Sequence, residues 1–384
     1  MNQIKNNIKT EFEKAFTNAE HHYQSKRYSE ALQICEKILN EQKDHAPTIH
    51  LLACIYYSLN TKESLTIAKE LFKKVTTLCS ENAIYHNNSG LTSYVLKNFD
   101  EAILSFRKAI LIKNDYADAY HNLGNTYLSL GLYNKAIENQ KLAIKFNQDF
   151  LNAYLALTAA IMPGNNYMEM LKSFHNYIKP RGYLEIGVQT GKSLCIAQKP
   201  TQSIGIDPDP VIEYEFKTST KIFSITSDSF FENYNLKSEL NHAPLDMAFI
   251  DGLHLFDQSL RDFINIERNS HHDTIVLVHD CIPIDAVSSS RSRTTAFWSG
   301  DVWKLIPCLK EYRPDLKIFT ILTKPTGLAL IKNLDSTSTV LDKQFDLIVE
   351  QYINFSYSNI EKEWRKILNT IPNDWLYIQN LLKE

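Results

Sequence analysis

A spacing of 34 residues recurs through the first 160 positions of the chain and restricts what they can fold into. It separates Gly90 from Gly124, Ala102 from Ala136, and Ala68 from Ala102. One earlier interval is 37 residues, so the second unit carries three extra residues near positions 58–63. Small and large residues at fixed positions in such a period indicate paired amphipathic helices that stack, because no single pair can bury its own apolar face.

This pattern resembles the tetratricopeptide repeat. The resemblance predicts an N-terminal helical solenoid, and the predicted units are about 12–45, 46–82, 83–116 and 117–150, with a further helix from Leu151 to Ile161. Stacks of this kind present a concave groove. The asparagines that are candidates to line it and bind a peptide backbone are Asn87, Asn88, Asn122 and Asn125. The groove therefore predicts a protein or peptide partner, or self-association, and a simple spacer is the alternative.

Proline and glycine separate this repeat region from the rest of the chain. The segment Met162-Pro163-Gly164-Asn165-Asn166 is the clearest break signal in the sequence, so we place the domain boundary there. The repeats then occupy residues 1–161 and a second domain occupies residues 165–340. Residues 341–384 are predicted to be a C-terminal helical extension that packs on the second domain.

The second domain opens with a strand that stops at a turn containing glycine. Tyr183 to Ile186 is typical of a buried strand, Gly187 ends it, and Gly191 precedes a predicted helix from Ser193 to Gln198. This order begins a doubly wound α/β sheet, in which ligands bind beyond the carboxyl ends of the strands. The two glycines leave room for a ligand near the backbone. Glu185 offers an acceptor for an ammonium or hydroxyl proton.

The spacing of this turn lacks the glycine pattern that binds a pyrophosphate, which disfavours a nicotinamide cofactor. It resembles the first motif of class I S-adenosylmethionine (SAM) methyltransferases, with Gln189 in place of the usual middle glycine. The resemblance implies a Rossmann-like sheet of seven strands that binds SAM at Glu185, at both glycines and at Asp207. Asp207 ends the second predicted strand, at the distance where this fold places an acid for ribose hydroxyls. Asp228, after the third strand, is a candidate for adenine contact or for a helix cap.

Two further strands each end in an aspartate with a histidine nearby. The fourth is followed by Asp251 and His254, and the fifth by His279 and Asp280. Because the ends of parallel strands share a rim, we expect these four residues to converge as a functional cluster. One hypothesis is a site for Mg²⁺ or another divalent cation at Asp251, Asp280 and His279. The other makes His254 the general base, with an aspartate fixing its tautomer.

These strand ends resemble the small-molecule and sugar O-methyltransferase branch of the class I fold. In metal-dependent relatives an Asp after strand four and an acid after strand five bind the metal. A base lies three residues beyond that first Asp, which is the position of His254. The resemblance covers about Tyr167 to Asn333.

The segment from Ile282 to Lys304 follows the fifth strand, where a loop can close over the acceptor. Arg291 and Arg293 are candidates to clamp an anionic acceptor. Trp298 and Trp303 are candidates to stack on a sugar or aromatic ring. A surface loop anchored by its tryptophans is the alternative.

Bulk composition excludes several classes of function. The formal charge is −3, from 41 basic and 44 acidic residues, which argues against nucleic acid or an anionic membrane as partner. No apolar run is long enough for a membrane span. The six cysteines form no Cys-x-x-Cys pair, so we expect reduced thiols and a cytoplasmic location.

The sequence thus predicts an enzyme, a SAM-dependent methyltransferase that acts on a hydroxyl of a sugar, glycan or other small-molecule acceptor. One alternative is a protein or peptide methyltransferase whose repeats recruit the substrate. The other is a non-enzymatic scaffold whose α/β domain has lost its cofactor.

Overall fold

The computed structural model describes the backbone of residues 2–383 and the side chains of residues 11–383. The chain divides into two compact units, Met1–Ala160 and Ile161–Glu384. The first is built from helices and the second from a sheet with helices on it. The predicted order of a helical solenoid followed by an α/β sheet is therefore confirmed.

The first unit stacks helices in pairs. They are α1 (Asn2–Gln24), α2 (Tyr28–Glu41), α3 (Ala46–Leu59), α4 (Lys62–Leu78), α5 (Ala83–Val95), α6 (Phe99–Ile112), α7 (Ala117–Ser129), α8 (Tyr133–Phe146) and α9 (Leu151–Ile161). Each odd-numbered helix up to α7 packs on the helix that follows it, and α1, α3, α5 and α7 also contact one another in sequence. The first helices of the pairs thus form a continuous face.

Small residues allow the two helices of a pair to cross closely. A Cβ at Gly90 would lie 2.6 Å from Cε1 of the fully buried Phe106, and one at Gly124 would lie 2.5 Å from Nε2 of Gln140. Even a methyl side chain has no space at Gly90 or Gly124 at native packing density. The three extra residues of the second unit lengthen the start of α4 by about one turn.

The second unit is a mixed sheet covered by helices. Its strands are β1 (Gly182–Ile186), β2 (Gln202–Ile206), β3 (Ser219–Phe223), β4 (Leu245–Ile250), β5 (Ile275–His279), β6 (Lys317–Ile321), β7 (Leu328–Lys332) and β8 (Thr370–Ile371). Its α-helices are α10 (Tyr167–Ile178), α11 (Ser227–Asn233), α12 (Leu236–Glu239), α13 (Phe256–Arg268), α14 (Leu305–Tyr312), α15 (Val340–Lys343), α16 (Phe345–Ile353), α17 (Trp364–Ile367) and α18 (Trp375–Lys383).

The strand order is β3-β2-β1-β4-β5-β7-β6-β8. The first five strands are parallel, whereas β7 runs antiparallel to β5 and β6. Ile186 lies opposite Ile206 on one side and Ile250 on the other, so β1, β2 and β4 end level with one another. The strand order reverses at β1, and such a switch point opens a crevice at the carboxyl ends.

Two expectations about the second unit are wrong in detail. The sheet has eight strands rather than seven, because Thr370–Ile371 pairs with β6 inside the segment predicted as helical. A two-residue strand carries no periodic signal in a sequence. The predicted helix from Ser193 to Gln198 is only a 3-10 turn, Leu194–Ile196, since the chain soon reaches Pro200 and the residue before a proline avoids helical geometry.

Within the described residues 2–383, no helix has the length and apolarity that crossing a membrane requires. All six cysteines are free thiols, and three of them are buried. Burial raises the pKa of Cys35 and Cys54 to about 12. These two thiols are therefore uncharged at neutral pH and act as packing residues.

The helix that leads into the sheet buries a histidine without a polar partner. In the described part of the chain, neither ring nitrogen of His175 has a hydrogen-bond partner, and its ring meets the edge of Tyr183 at 4.5 Å between centroids. Burial lowers the pKa of His175 to about 3. The folded unit therefore tolerates only the neutral imidazole.

We expect His175 to make the second unit acid-sensitive. Because its pKa is lower in the folded than in the unfolded state, stability falls as pH drops below about 6.5, by about 2 kcal/mol at about pH 5. Thermal unfolding followed by circular dichroism should show that His175→Leu removes this part of the pH dependence. The same substitution at the exposed His272 is the control, and an unchanged acid slope in His175→Leu would contradict the assignment.

Candidate functional site

The ends of β1 and β4 touch backbone to backbone. Asp251 N donates to Ile186 O at 2.8 Å, and Gly187 N donates to Ile206 O at 2.9 Å. A Cβ at Gly187, whose φ is +88°, would lie 2.0 Å from Asp251 O. The neighbouring strand end thus requires glycine at position 187, a reason that the sequence did not predict.

Glu185 lies beneath the turn and does not face the crevice. It is 0% exposed, its Oε1 accepts from Ser193 Oγ at 2.5 Å, and its Oε2 accepts from Tyr183 Oη at 2.7 Å. Burial raises the pKa of Glu185 to about 8. Both oxygens of this carboxyl group are thus bonded to side chains of the protein. Its position supports the turn through Ser193.

Asp207 joins the end of β2 to the same turn. Its Oδ2 accepts from Gln189 N at 2.8 Å and its Oδ1 accepts from Asp209 N at 2.9 Å. Each oxygen keeps a further lone pair, because a carboxylate has about four acceptor positions. Gly191, with φ +83°, packs against Phe216 of the segment after β2. Both residues therefore belong to or contact the turn that follows β1, and their role in binding a donor stays a prediction.

The four residues predicted to converge do meet at the ends of β4 and β5. His254 Nδ1 lies 2.9 Å from Asp280 Oδ2, and His254 Nε2 lies 3.6 Å from Asp251 Oδ1. His279 Nδ1 lies 3.1 Å from Asp251 Oδ1. His254 and Asp280 both have φ of +60°, a conformation that costs energy in non-glycine residues and often marks functional sites.

Charges in this cluster compensate one another. Burial opposes protonation of His279, yet Asp251 and Asp280 outweigh it and raise its pKa to about 10. Burial also opposes the charge on His254, but the same two carboxylates raise its pKa. The two imidazoles in turn hold the pKa of Asp280 well below its usual range against the effect of burial.

Two neighbours of the cluster were missed by sequence reasoning. The ring of Tyr167, at the start of α10, lies 4.1 Å from that of His279 between centroids. Thr326 Oγ1 donates a short hydrogen bond to Asp280 Oδ1. Tyr167 is more than 100 residues away in sequence, and Thr326 lies in a turn that only connects strands, so neither carries a local signal.

The loop after β5 is ordered against His254. The Trp298 ring stacks on the His254 ring at 5.5 Å and 10°, and Arg293 lies over Trp298 at 6.0 Å. Trp298 is half-buried and Arg293 is exposed. A Cβ at Gly300 would lie 1.8 Å from His254 O, so the loop closes directly on the backbone of His254.

Two residues expected to bind the acceptor are used inside the protein instead. Trp303 is 1% exposed, and its Nε1 donates to Ser289 O at 3.3 Å. Arg291 Nη1 pairs with Asp257 Oδ1 at 2.7 Å. Packing encloses Trp303, whereas the Arg291 side chain is paired with Asp257 and still 35% exposed. Both hold the loop in place.

Asp228 is not the helix cap that was its alternative role. Thr226 Oγ1 caps α11 by accepting from Ser229 N at 3.2 Å. Asp228 Oδ1 instead accepts from Gln258 Nε2 at 3.2 Å, and its Oδ2 lies 3.5 Å from Arg261 Nε. Its side chain is 40% exposed, so it stays accessible at the end of β3.

The possible metal ligands differ from those expected. Ligand atoms of Asp251, His254 and Asp280 lie within 4.8 Å of one another, whereas His279 is turned toward Asp251 as a hydrogen-bond partner. Two carboxylates and an imidazole fit a divalent ion. Because Mg²⁺ strongly prefers oxygen, the histidine favours an ion such as Mn²⁺ or Zn²⁺.

Comparisons with known families identify both parts of the chain. A methyltransferase domain family matches residues 184–281, a TPR repeat family matches residues 93–131, and a tetratricopeptide repeat family matches residues 117–150. The first match includes Asp207, Asp228, His254 and Asp280. No curated protein sequence matches the chain.

Similar solved structures align with little more than a third of the chain. The MamA protein is 24% identical over 39% of this chain and 80% of its own, with a TM-score of 0.36. Pseudomonas aeruginosa pilF is 19% identical over 42% and 70%, with a TM-score of 0.37. YrrB, described as a TPR protein with an unusual peptide-binding site, is 16% identical over 38% and 74%, with a TM-score of 0.34.

With both family matches in one polypeptide, the chain is a fusion of tetratricopeptide repeats with a methyltransferase domain.

Proposed function

We propose that the protein is a SAM-dependent methyltransferase that methylates a hydroxyl group of a sugar or another small-molecule acceptor. The observation that carries this proposal is His254, which lies between Asp251 and Asp280 at the rim of the switch-point crevice. The donor side of the same rim carries Asp207 and the turn at Gly191. A cytoplasmic location is part of the proposal and is supported by the free thiols.

The donor side has groups that suit a nucleoside bearing an amino acid. Asp207 keeps lone pairs for the two ribose hydroxyls, and Asp228 keeps lone pairs for the base. Gly191 keeps the turn small, and Glu185 acts from behind it by holding Ser193. The residues present therefore fit SAM, whose chemistry is to offer a methyl group on a positively charged sulfur.

The acceptor side needs a base. In our proposal, Asp280 accepts from Nδ1–H of His254, which leaves the Nε2 lone pair to take the proton of the acceptor hydroxyl. SAM would supply the methyl group when bound, and His254 would hold the proton that the acceptor oxygen gives up. The protein's main task is alignment of the two reactants.

A divalent cation is the alternative activator. Asp251, His254 and Asp280 would hold it, and it would lower the pKa of a bound hydroxyl. In that case His254 is a ligand and not the base, so the two versions exclude each other at this residue. Arg293 and Trp298 suit the acceptor in both, because a stacked ring beside a cation fits a sugar or an aromatic acceptor.

A protein or peptide substrate is the second candidate function, and the charge distribution of the repeats favours it. The first helix α1 carries several charges, but Asp118 is the one charged residue, histidine aside, in α3, α5, α7 and α9, whereas each of α2, α4, α6 and α8 carries several. Asn88 and Asn122 are half-buried on that face, where they bond His50 and Asn87. Asn87 itself is buried, contrary to expectation. Such an uncharged amide surface suits a neutral, extended peptide.

We expect the affinity for the methyl donor to depend on Asp207. Titration calorimetry with SAM is expected to show that Asp207→Ala weakens binding at least about tenfold, through the loss of charge-assisted hydrogen bonds to the ribose. Asp209→Ala is the matched control, because Asp209 gives Asp207 only its backbone N–H. Equal affinities of Asp207→Ala and the wild type would overturn the placement of SAM.

Removal of metal should separate the two acceptor chemistries. The rate of methyl transfer to a panel of sugars would be measured as the release of S-adenosylhomocysteine. If His254 is the base, dialysis against EDTA leaves the rate unchanged and His254→Ala lowers it about 10²–10⁴-fold without altering SAM affinity. If a cation activates the acceptor, EDTA abolishes transfer and Mn²⁺ restores it.

The repeat face should be tested with a random peptide display library selected on the full-length protein. We expect recovered peptides to be poor in charged residues, to bind equally at low and high salt, and to lose binding in the Asn88→Ala, Asn122→Ala double variant. Asn139→Ala, an exposed amide on α8, is the control. Recovery of charged peptides, or of none, would count against peptide recruitment.

A further inference from the structure

The loop between β5 and α14 holds the backbone of His254. Asp301 N donates to His254 O at 3.2 Å, and Gly300 lies so close that a Cβ there would overlap the same carbonyl oxygen. Asp301 is 1% exposed, and its Oδ1 also accepts from Phe256 N at 2.8 Å. His254 has a left-handed backbone conformation, which persists only where the surrounding structure imposes it.

The two carboxylates beside His254 do not by themselves fix the plane of its ring. Asp280 Oδ2 lies 2.9 Å from Nδ1, and Asp251 Oδ1 lies 3.6 Å from Nε2. Both contacts are made at ring nitrogens, so the ring can still tilt about the line that joins these two atoms. The His254 side chain is also 28% exposed. Its plane therefore needs a further contact.

Trp298 makes a contact of that kind. Its indole ring lies nearly parallel to the His254 ring, at 5.5 Å between centroids and 10° between planes, which is an offset stack. The indole is held in turn by its Nε1, which donates to Ser290 O at 2.8 Å. A flat face parallel to the imidazole opposes the tilt that contacts at the nitrogens leave free.

We propose that Trp298 is a positioning residue that sets the plane of the His254 ring. The inference rests on the proposed methyl transfer, and it holds for His254 as base and as metal ligand, because each role requires one ring orientation. A misplacement of about 1 Å can cost about 10²-fold in rate. Loss of the indole should therefore lower kcat, whereas loss of a surface that only binds the acceptor would raise KM.

The first measurement needs no ligand. Relaxation of the ring carbons in full-length protein labelled with ¹³C-histidine reports the mobility of the His254 ring, whose signals are identified by their loss in His254→Gln. The wild type should be rigid, with an order parameter of about 0.85, and Trp298→Leu should fall below about 0.6. Trp298→Phe keeps a flat face and should stay rigid. The buried His279 ring, bonded to Asp251, is the internal reference for an intact fold.

The second measurement is methyl transfer to the sugar that the wild type uses fastest. Trp298→Leu is expected to lower kcat about 10–100-fold and to leave KM for that sugar and the affinity for SAM unchanged, and Trp298→Phe should recover most of the rate. Trp364→Leu is the matched control, because Trp364 is also half-buried and lies on α17, where its ring meets Arg365.

An equally rigid His254 ring in Trp298→Leu would overturn the inference. A rise in KM with unchanged kcat would do the same, because it would make the indole a binding surface for the acceptor. A wild type that methylates none of the sugars defeats the proposed acceptor class, and the mobility of the His254 ring then still decides the role of Trp298.

Discussion

The contact between the backbones of Gly187 and Asp251 is the constraint on which the rest of the rim depends. It sets the carboxyl ends of β1 and β4 against each other with no side chain between them. Any Cβ at position 187 would overlap Asp251 O and push β4 away, which would move Asp251 relative to His279 and His254. Catalytic geometry tolerates errors of only about 1 Å. The glycine therefore fixes the positions of these three side chains through strand packing.

Much of the architecture could be predicted because local sequence patterns determine it. The 34-residue period, the apolar strand cores and the polar residue after each strand are short-range features, and they led to the solenoid, the sheet and the shared rim of Asp251, His254, His279 and Asp280. The predictions that differ from the structure concern the direction in which individual side chains point. Glu185 lies in a strand whose five residues are all buried, and its carboxyl group is bonded by Ser193 and Tyr183.

The sequence also could not predict the roles of residues that act through contacts with other side chains. Trp303 and Arg291 looked like ligand groups, yet packing and an ion pair use them to fix the loop on His254. Tyr167 and Thr326 carry no local sequence signal, because their positions at the rim come from contacts across the fold. The residue type at a strand end predicts well where that residue lies in the fold. It does not predict which side chains of the neighbouring elements bind it.

The approach of Tyr167 to His279 has a consequence for how the methyltransferase domain can be separated from the repeats. Tyr167 N donates to Lys324 O at 3.1 Å, and Asn165 O accepts from Thr323 Oγ1 at 2.8 Å and from Asn373 Nδ2 at 2.7 Å. These bonds fasten the residues just before α10 to the turn that carries Thr326. A fragment trimmed to the first strand would keep every acidic and imidazole group of the rim. It would nevertheless lose the aromatic ring that packs on one of them, together with the anchor of its supporting turn.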